Sequence, residues 1–106
     1  MDTNLYNIQT INGNNFEVCL SNESHPVFKA HFSNNPILPG FIFLHICESA
    51  LNITITEIAR VKFITFVKPC DILVLNISQK KDKIHAEFIC KDKKVCTLNF
   101  KGEKVE

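Results

Sequence analysis

At 106 residues, with twelve basic side chains against eleven acidic ones, the chain has room for one domain and lacks a nucleic-acid footprint. Its hydrophobic share of 45%, nine phenylalanines included, excludes disorder and suits one core burying roughly two thirds of the unfolded surface. No stretch resembles a signal peptide, and no apolar run reaches the roughly eighteen residues of a membrane span, so a cytoplasmic protein is expected.

In chain order, residues 5–11 (LYNIQTI) and 16–20 (FEVCL) flank Asn12-Gly13-Asn14-Asn15. Asn-Gly readily takes the positive φ of a tight turn, which predicts a hairpin. Residues 21–39 read as loop, because Pro26, Pro36 and Pro39 remove backbone donors. FIFLHICESALN then predicts a helix from about Gly40 to Asn52, apolar nearly all round and therefore wrapped by other structure. Its polar stripe is His45, Glu48, Ser49 and Asn52, at helical spacings.

The remainder reads as strands. Glu57–Val67 is rich in β-branched and aromatic residues, and Lys68-Pro69-Cys70-Asp71 is a turn. Ile72–Gln79, Lys83–Cys90 and Val95–Lys101 follow, with turns at Lys80–Lys83 and Lys91–Lys94. Two strands, one helix and four antiparallel strands predict an α+β domain over residues 1–106, a sheet wrapping the helix. Five cysteines, at 19, 47, 70, 90 and 96, form no C-x-x-C pair, which argues against structural zinc and a disulfide scaffold. Cys90 and Cys96 can face each other across a hairpin, but reduced thiols are the reading adopted.

The segment HPVFKAHFSNNPILPG resembles the loop of hotdog-fold 3-hydroxyacyl-[acyl-carrier-protein] dehydratases. That family's pattern is P-x-F-x-G-H-F-P, a short gap, then P-x-x-P-G opening the helix. Pro26, Phe28, His31, Phe32, Pro36, Pro39 and Gly40 stand in register with it. The family's later F-x-x-x-V-x-P-G-D turn is similar to Phe63, Val67, Pro69 and Asp71, with Cys70 in place of the glycine. The departures are Ala30 and Ser33 on either side of the His-Phe pair, His45 at the helix carboxylate position, and Ser49 at a glutamine position. The nearest branch is the short accessory dehydratase-like hotdogs, such as those of aryl-polyene synthesis.

The resemblance implies dehydration of 3-hydroxyacyl thioesters, on acyl carrier protein or coenzyme A, without metal or cofactor. His31 resembles the family's base, and a neutral imidazole suits that task near pH 7. Gly40 opens the helix, where unpaired amides can polarise the thioester carbonyl. His45 takes the carboxylate's place as acid, and Glu48 is either a substitute acid or the partner that keeps His45 charged. Phe32, Phe41 and Ser49 complete the expected substrate-binding set with Gly40. In the family, base and helix acid come from opposite subunits. An uncovered strand edge and helix face point the same way, to at least a homodimer.

Blander readings stand beside these. His31 can be a backbone-bonded loop histidine, and His45 with Glu48 a solvated stripe. Gly40 can be only a helix start. Phe41 with Phe43 can be core, Asp71 a turn residue, and His85 an exposed strand position. Competing functions on the same fold are an acyl thioesterase, with Glu48 activating water, and a non-catalytic acyl-binding protein.

Overall fold

A computed structural model of the chain describes residues 4–30 and 36–105. His31, Phe32 and Ser33 lie outside the described residues. The elements are β1 (Tyr6–Asn12), β2 (Asn15–Leu20), α1 (Pro26–Ala30), α2 (Phe41–Leu51), β3 (Ile53–Phe63), β4 (Ile72–Lys80), β5 (Lys83–Cys90) and β6 (Lys93–Lys104). The six strands form one antiparallel sheet in the order β1-β2-β4-β5-β6-β3. No helix among the described residues is long and apolar enough to cross a membrane.

Period-two alternation decides which side of the sheet is the core. Phe16, Val18 and Leu20 of β2, Leu73, Leu75 and Ile77 of β4, Ile84, Ala86 and Phe88 of β5, and Leu98 and Phe100 of β6 are all buried. Against this face α2 buries Ile42, Phe43, Ile46 and Cys47. Phe43 meets Phe88 edge to face, with ring centroids 4.9 Å apart and planes at 65°. Each such side chain contributes about 1.5–3 kcal/mol by leaving water, so this seam sets the helix's rotation.

Several local expectations change. Residues 21–39 contain a short helix where only loop was expected. Pro26 starts α1, a position where its missing amide costs nothing. His25 caps it, its ring Nδ1 accepting from the Val27 amide at 3.0 Å, while its carbonyl accepts from Phe28 and Lys29 at 3.0 and 3.1 Å. The β1–β2 hairpin is present, but Gly13 does not have positive φ, and the turn is accommodated by a register shift between Thr10 and Asn12. Positive φ falls instead on Lys81 and on the pair Lys91 and Asp92, in the two lysine-rich turns.

Strand β3 also starts earlier than expected. Asn52 ends α2 in the left-handed region, at φ 54° and ψ 53°, and the chain reverses at once into β3. Beyond Phe63 the chain leaves the ladder, with the Ile64 and Thr65 amides both donating to the Val95 carbonyl, at 2.9 and 3.3 Å. All five cysteines are free. Cys90 and Cys96 are not cross-strand partners: Cys90 pairs with Lys93, and Cys96 with Phe88.

The turn before β4 closes through the Asp71 amide donating to the Lys68 carbonyl at 3.2 Å, with Pro69 and then Cys70 at its two central positions. Cys70 has φ 67°, a conformation that costs a side-chain-bearing residue about 1–2 kcal/mol. Glycine relieves that strain but loses more chain entropy on folding. Cys70→Gly is therefore expected to stabilise the fold by about 0.5–1 kcal/mol net. Urea unfolding should show a higher midpoint at unchanged slope.

Candidate active site

The site expected from the sequence surrounds the first turns of α2. Pro39 is buried and Gly40 is the N-cap residue, already helical at φ −57° and ψ −36°, with no side chain capping it. The first amides to reach back are those of Ile42, to the Pro39 carbonyl at 3.1 Å, and Phe43, to the Gly40 carbonyl at 3.2 Å. The amides of Gly40 and Phe41 are therefore the open, electropositive end of the helix. Glycine is not needed there for φ. A Cβ on Gly40 would stand 2.6 Å from Cζ of Phe63, so the space beside it is filled by an aromatic ring. A side chain at position 40 would meet that ring.

Because Ile42, Phe43, Ile46 and Cys47 face the sheet, helical periodicity turns Phe41, His45 and Ser49 outward. Phe41, expected in core or tunnel lining, is 58% exposed. Its ring meets that of His45 edge-on, with centroids 5.8 Å apart and an interplanar angle of 73°. Leu44 and Glu48 lie on the flank toward β3. Together with Ile55 and Ile58 these residues line an open groove of about 250 Å³ between helix and edge strand. His45 is thus presented to solvent on an apolar groove one turn from the open helix end.

Glu48 is engaged by the backbone of β3. Its Oε2 accepts from the Ile55 amide at 2.8 Å, beside the register shift between Ile55 and Glu57. The bulge takes backbone groups out of the β3–β6 ladder, and the carboxylate supplies an acceptor there. Among the described residues, no ion pair joins His45 to Glu48. The two share a groove, but the carboxylate is held by backbone. Ser49 turns the other way, its hydroxyl hydrogen-bonded to the Tyr6 hydroxyl of β1 at 3.1 Å. Tyr6 also borders a larger polar cavity of about 490 Å³ lined in part by Cys19, Ser24 and His25.

The other reactive groups are placed elsewhere. Burial pushes the Cys47 thiol far up and that of Cys96 up to about 12, so both are neutral core residues and not nucleophiles. His85 is on the outer face of the sheet, bonded to Asn99 Oδ1 at 2.8 Å and Glu87 Oε2 at 3.1 Å. Hydrogen bonds from His85 and Lys94 hold the Glu87 carboxyl below the usual range. Among the described residues, no group of His, Cys, Asp and Glu is arranged to hold a metal ion. Sequence reasoning missed Tyr6, Ile55, Ile58 and Phe63. Only Phe63 carried a signal, as the aromatic opening the Phe63-to-Asp71 pattern.

Glu48→Ala should leave the half-buried Ile55 amide without its acceptor and cost about 1–3 kcal/mol in chemical unfolding. Glu48→Gln keeps a carbonyl acceptor and should lose less than half as much. Hydrogen exchange at the Ile55 amide should speed up in the alanine variant alone.

Solved structures of similar fold agree with this architecture. A chain of the dehydratase heterocomplex ApeI:P from Xenorhabdus doucetiae aligns at TM-score 0.70 with 20% identity, over 96% of this chain and 98% of its own. An uncharacterized protein from Erwinia carotovora subsp. atroseptica aligns at TM-score 0.65 with 18% identity, over 93% and 91% of the two chains. A mutant of a hypothetical thioesterase from Streptococcus pneumoniae aligns at TM-score 0.57 with 11% identity, over 94% and 92%. These likenesses establish the hotdog fold expected from the sequence, an antiparallel sheet around a helix. Among curated proteins none matches the sequence. The family model for ApeI dehydratase matches residues 9–101, and the chain belongs to the ApeI-like dehydratase family.

Proposed function

We propose that the chain converts 3-hydroxyacyl thioesters into trans-2-enoyl thioesters and water, with the acyl group carried by acyl carrier protein. The observation that carries this reading is the open end of α2 at Gly40 with His45 exposed one turn on, beside an apolar groove. Elimination needs three things: removal of a weakly acidic α-proton, stabilisation of charge on the thioester oxygen, and a proton for the departing hydroxide. The Gly40 and Phe41 amides suit the second task, since fixed donors at a helix end are worth about 10²–10³ in rate. His45, when protonated, donates to the leaving oxygen. His31 is assigned the first task by its place in the family pattern. The α-proton goes to one imidazole while the other protonates the hydroxide, and the C–O electron pair leaves with water.

Glu48 gives little support to thioester hydrolysis, because one carboxylate oxygen is engaged by the Ile55 amide. The decisive assay incubates pure protein with 3-hydroxyacyl and enoyl thioesters, on carrier protein and on coenzyme A, and follows interconversion against release of free thiol. Interconversion is expected. Thiol release would make it a thioesterase, and binding without either would make it an acyl binder. His31→Ala should remove nearly all turnover. His45→Ala should cost about 10²–10⁴, the usual worth of a general acid, and His45→Glu should retain activity. Because one imidazole must be neutral and the other charged, the rate should follow a bell-shaped pH profile.

The site is read as shared between chains. Among the described residues β3 ends the sheet, pairing only with β6, and exposes Ile58, Phe63 and, just past it, Ile64 and Phe66. An edge of this length and apolarity is ordinarily covered. The groove beside His45 opens along the same edge, so a second copy paired there would roof it. The similar ApeI chain belongs to a heterocomplex, which supports completion of the site by another chain. Sedimentation at micromolar concentration is expected to show a homodimer. An active, monodisperse monomer would refute that assembly.

A further inference from the structure

Position 40 does not need glycine for its backbone, since φ −57° and ψ −36° suit any residue, but the space where a side chain would begin is occupied. The space is taken by one side chain. A Cβ on Gly40 would lie 2.6 Å from Cζ of Phe63 and 3.0 and 3.1 Å from its Cε1 and Cε2. The tip of the ring therefore rests on the Cα of Gly40, at the open end of α2. One flank of Phe63 is held by Phe43, with centroids 6.0 Å apart, and Phe43 is anchored on Phe88 in the core. The ring is nonetheless 57% exposed. It closes the helix end without being buried itself.

We infer that Phe63 is a specificity-determining residue of the thioester site, limiting the bulk that the acyl group carries on the carbons next to its carbonyl. This rests on the reading of the Gly40 amide as donor to that carbonyl. A carbonyl oxygen about 3 Å from the amide brings the α-carbon into the same few ångströms that the ring tip fills. An unbranched chain passes beside the ring and continues along Phe41, Leu44 and Ile58. A methyl branch on the α-carbon meets the ring. β3 runs back antiparallel along α2, so Phe63 falls opposite Gly40 while Ile55 falls opposite Glu48, and one strand makes both contacts with the helix.

The test compares linear and α-methyl-branched acyl groups in the wild type, Phe63→Ala and Phe63→Leu. In turnover, Phe63→Ala should narrow the linear-over-branched preference in kcat/KM by about tenfold or more, the scale on which pockets discriminate single methyl groups, with Phe63→Leu between. An unchanged preference overturns the inference. A protein with no turnover at all sinks the dehydratase reading instead, so the same acyl pair is also measured by calorimetry as non-reacting amide analogues. There Phe63→Ala should tighten the branched analogue about tenfold relative to the linear one. Equal shifts, or no binding of either analogue, overturn the inference. In thermal unfolding, Gly40→Ala should lower Tm in the wild type and much less in Phe63→Ala. An equal drop in both backgrounds would show that the ring does not hold that space, and the inference would fail.

Discussion

The packing of α2 against the sheet, centred on Phe43 meeting Phe88 at 4.9 Å, is the constraint from which the rest follows. A helix of eleven residues presents three turns, and burying Ile42, Phe43, Ile46 and Cys47 leaves no freedom in its rotation. The outward stripe is then Phe41, His45 and Ser49, whatever their chemistry. His45 faces solvent because its neighbours on the opposite face of the helix face the sheet. The same seam places the helix end, Gly40, at the end of β3, where Phe63 lies across it.

The polar groups around the groove differ in how far the fold itself engages them. Glu48 is half-buried and satisfies the Ile55 amide beside a β3 bulge, so removing it disturbs the wall of the groove before it touches any reaction. Ser49 ties the other flank of the helix to Tyr6. His45 alone of the stripe is left with an aromatic neighbour, Phe41, and no salt bridge among the described residues. A histidine free of ion pairs among the described residues thus stands where the family pattern has its helix carboxylate.

The two edges of the sheet are unequal. β1 is short and mostly polar along its exposed side, while β3 leaves Ile58 and Phe63 exposed and continues into Ile64 and Phe66. Water contact with that many apolar side chains is unfavourable at about 25 cal/mol per Å², which is the driving force for covering the edge. The groove and the Gly40–Phe63 contact lie along this same edge.

Much of this was legible in the chain. The order of strands and helix follows from apolar periodicity, and the bounds of α2 from Gly40 and Asn52, because caps and turns are local decisions. The family and its candidate residues were legible from spacing in the His25-to-Gly40 segment. Local rules failed where they had two outcomes: Pro26 read as a breaker but starts α1 with His25 as its cap, and Asn12-Gly13 promised a positive φ that the register shift made unnecessary. What only the tertiary structure decided are contacts between residues far apart in sequence. That Glu48 serves Ile55 depends on where β3 bulges, that Ser49 serves Tyr6 depends on which edge the helix leans toward, and that Gly40 is held open for the ring of Phe63 depends on β3 running back along α2. No periodicity encodes these pairings, because they are set by how the helix and the sheet close on one another in space.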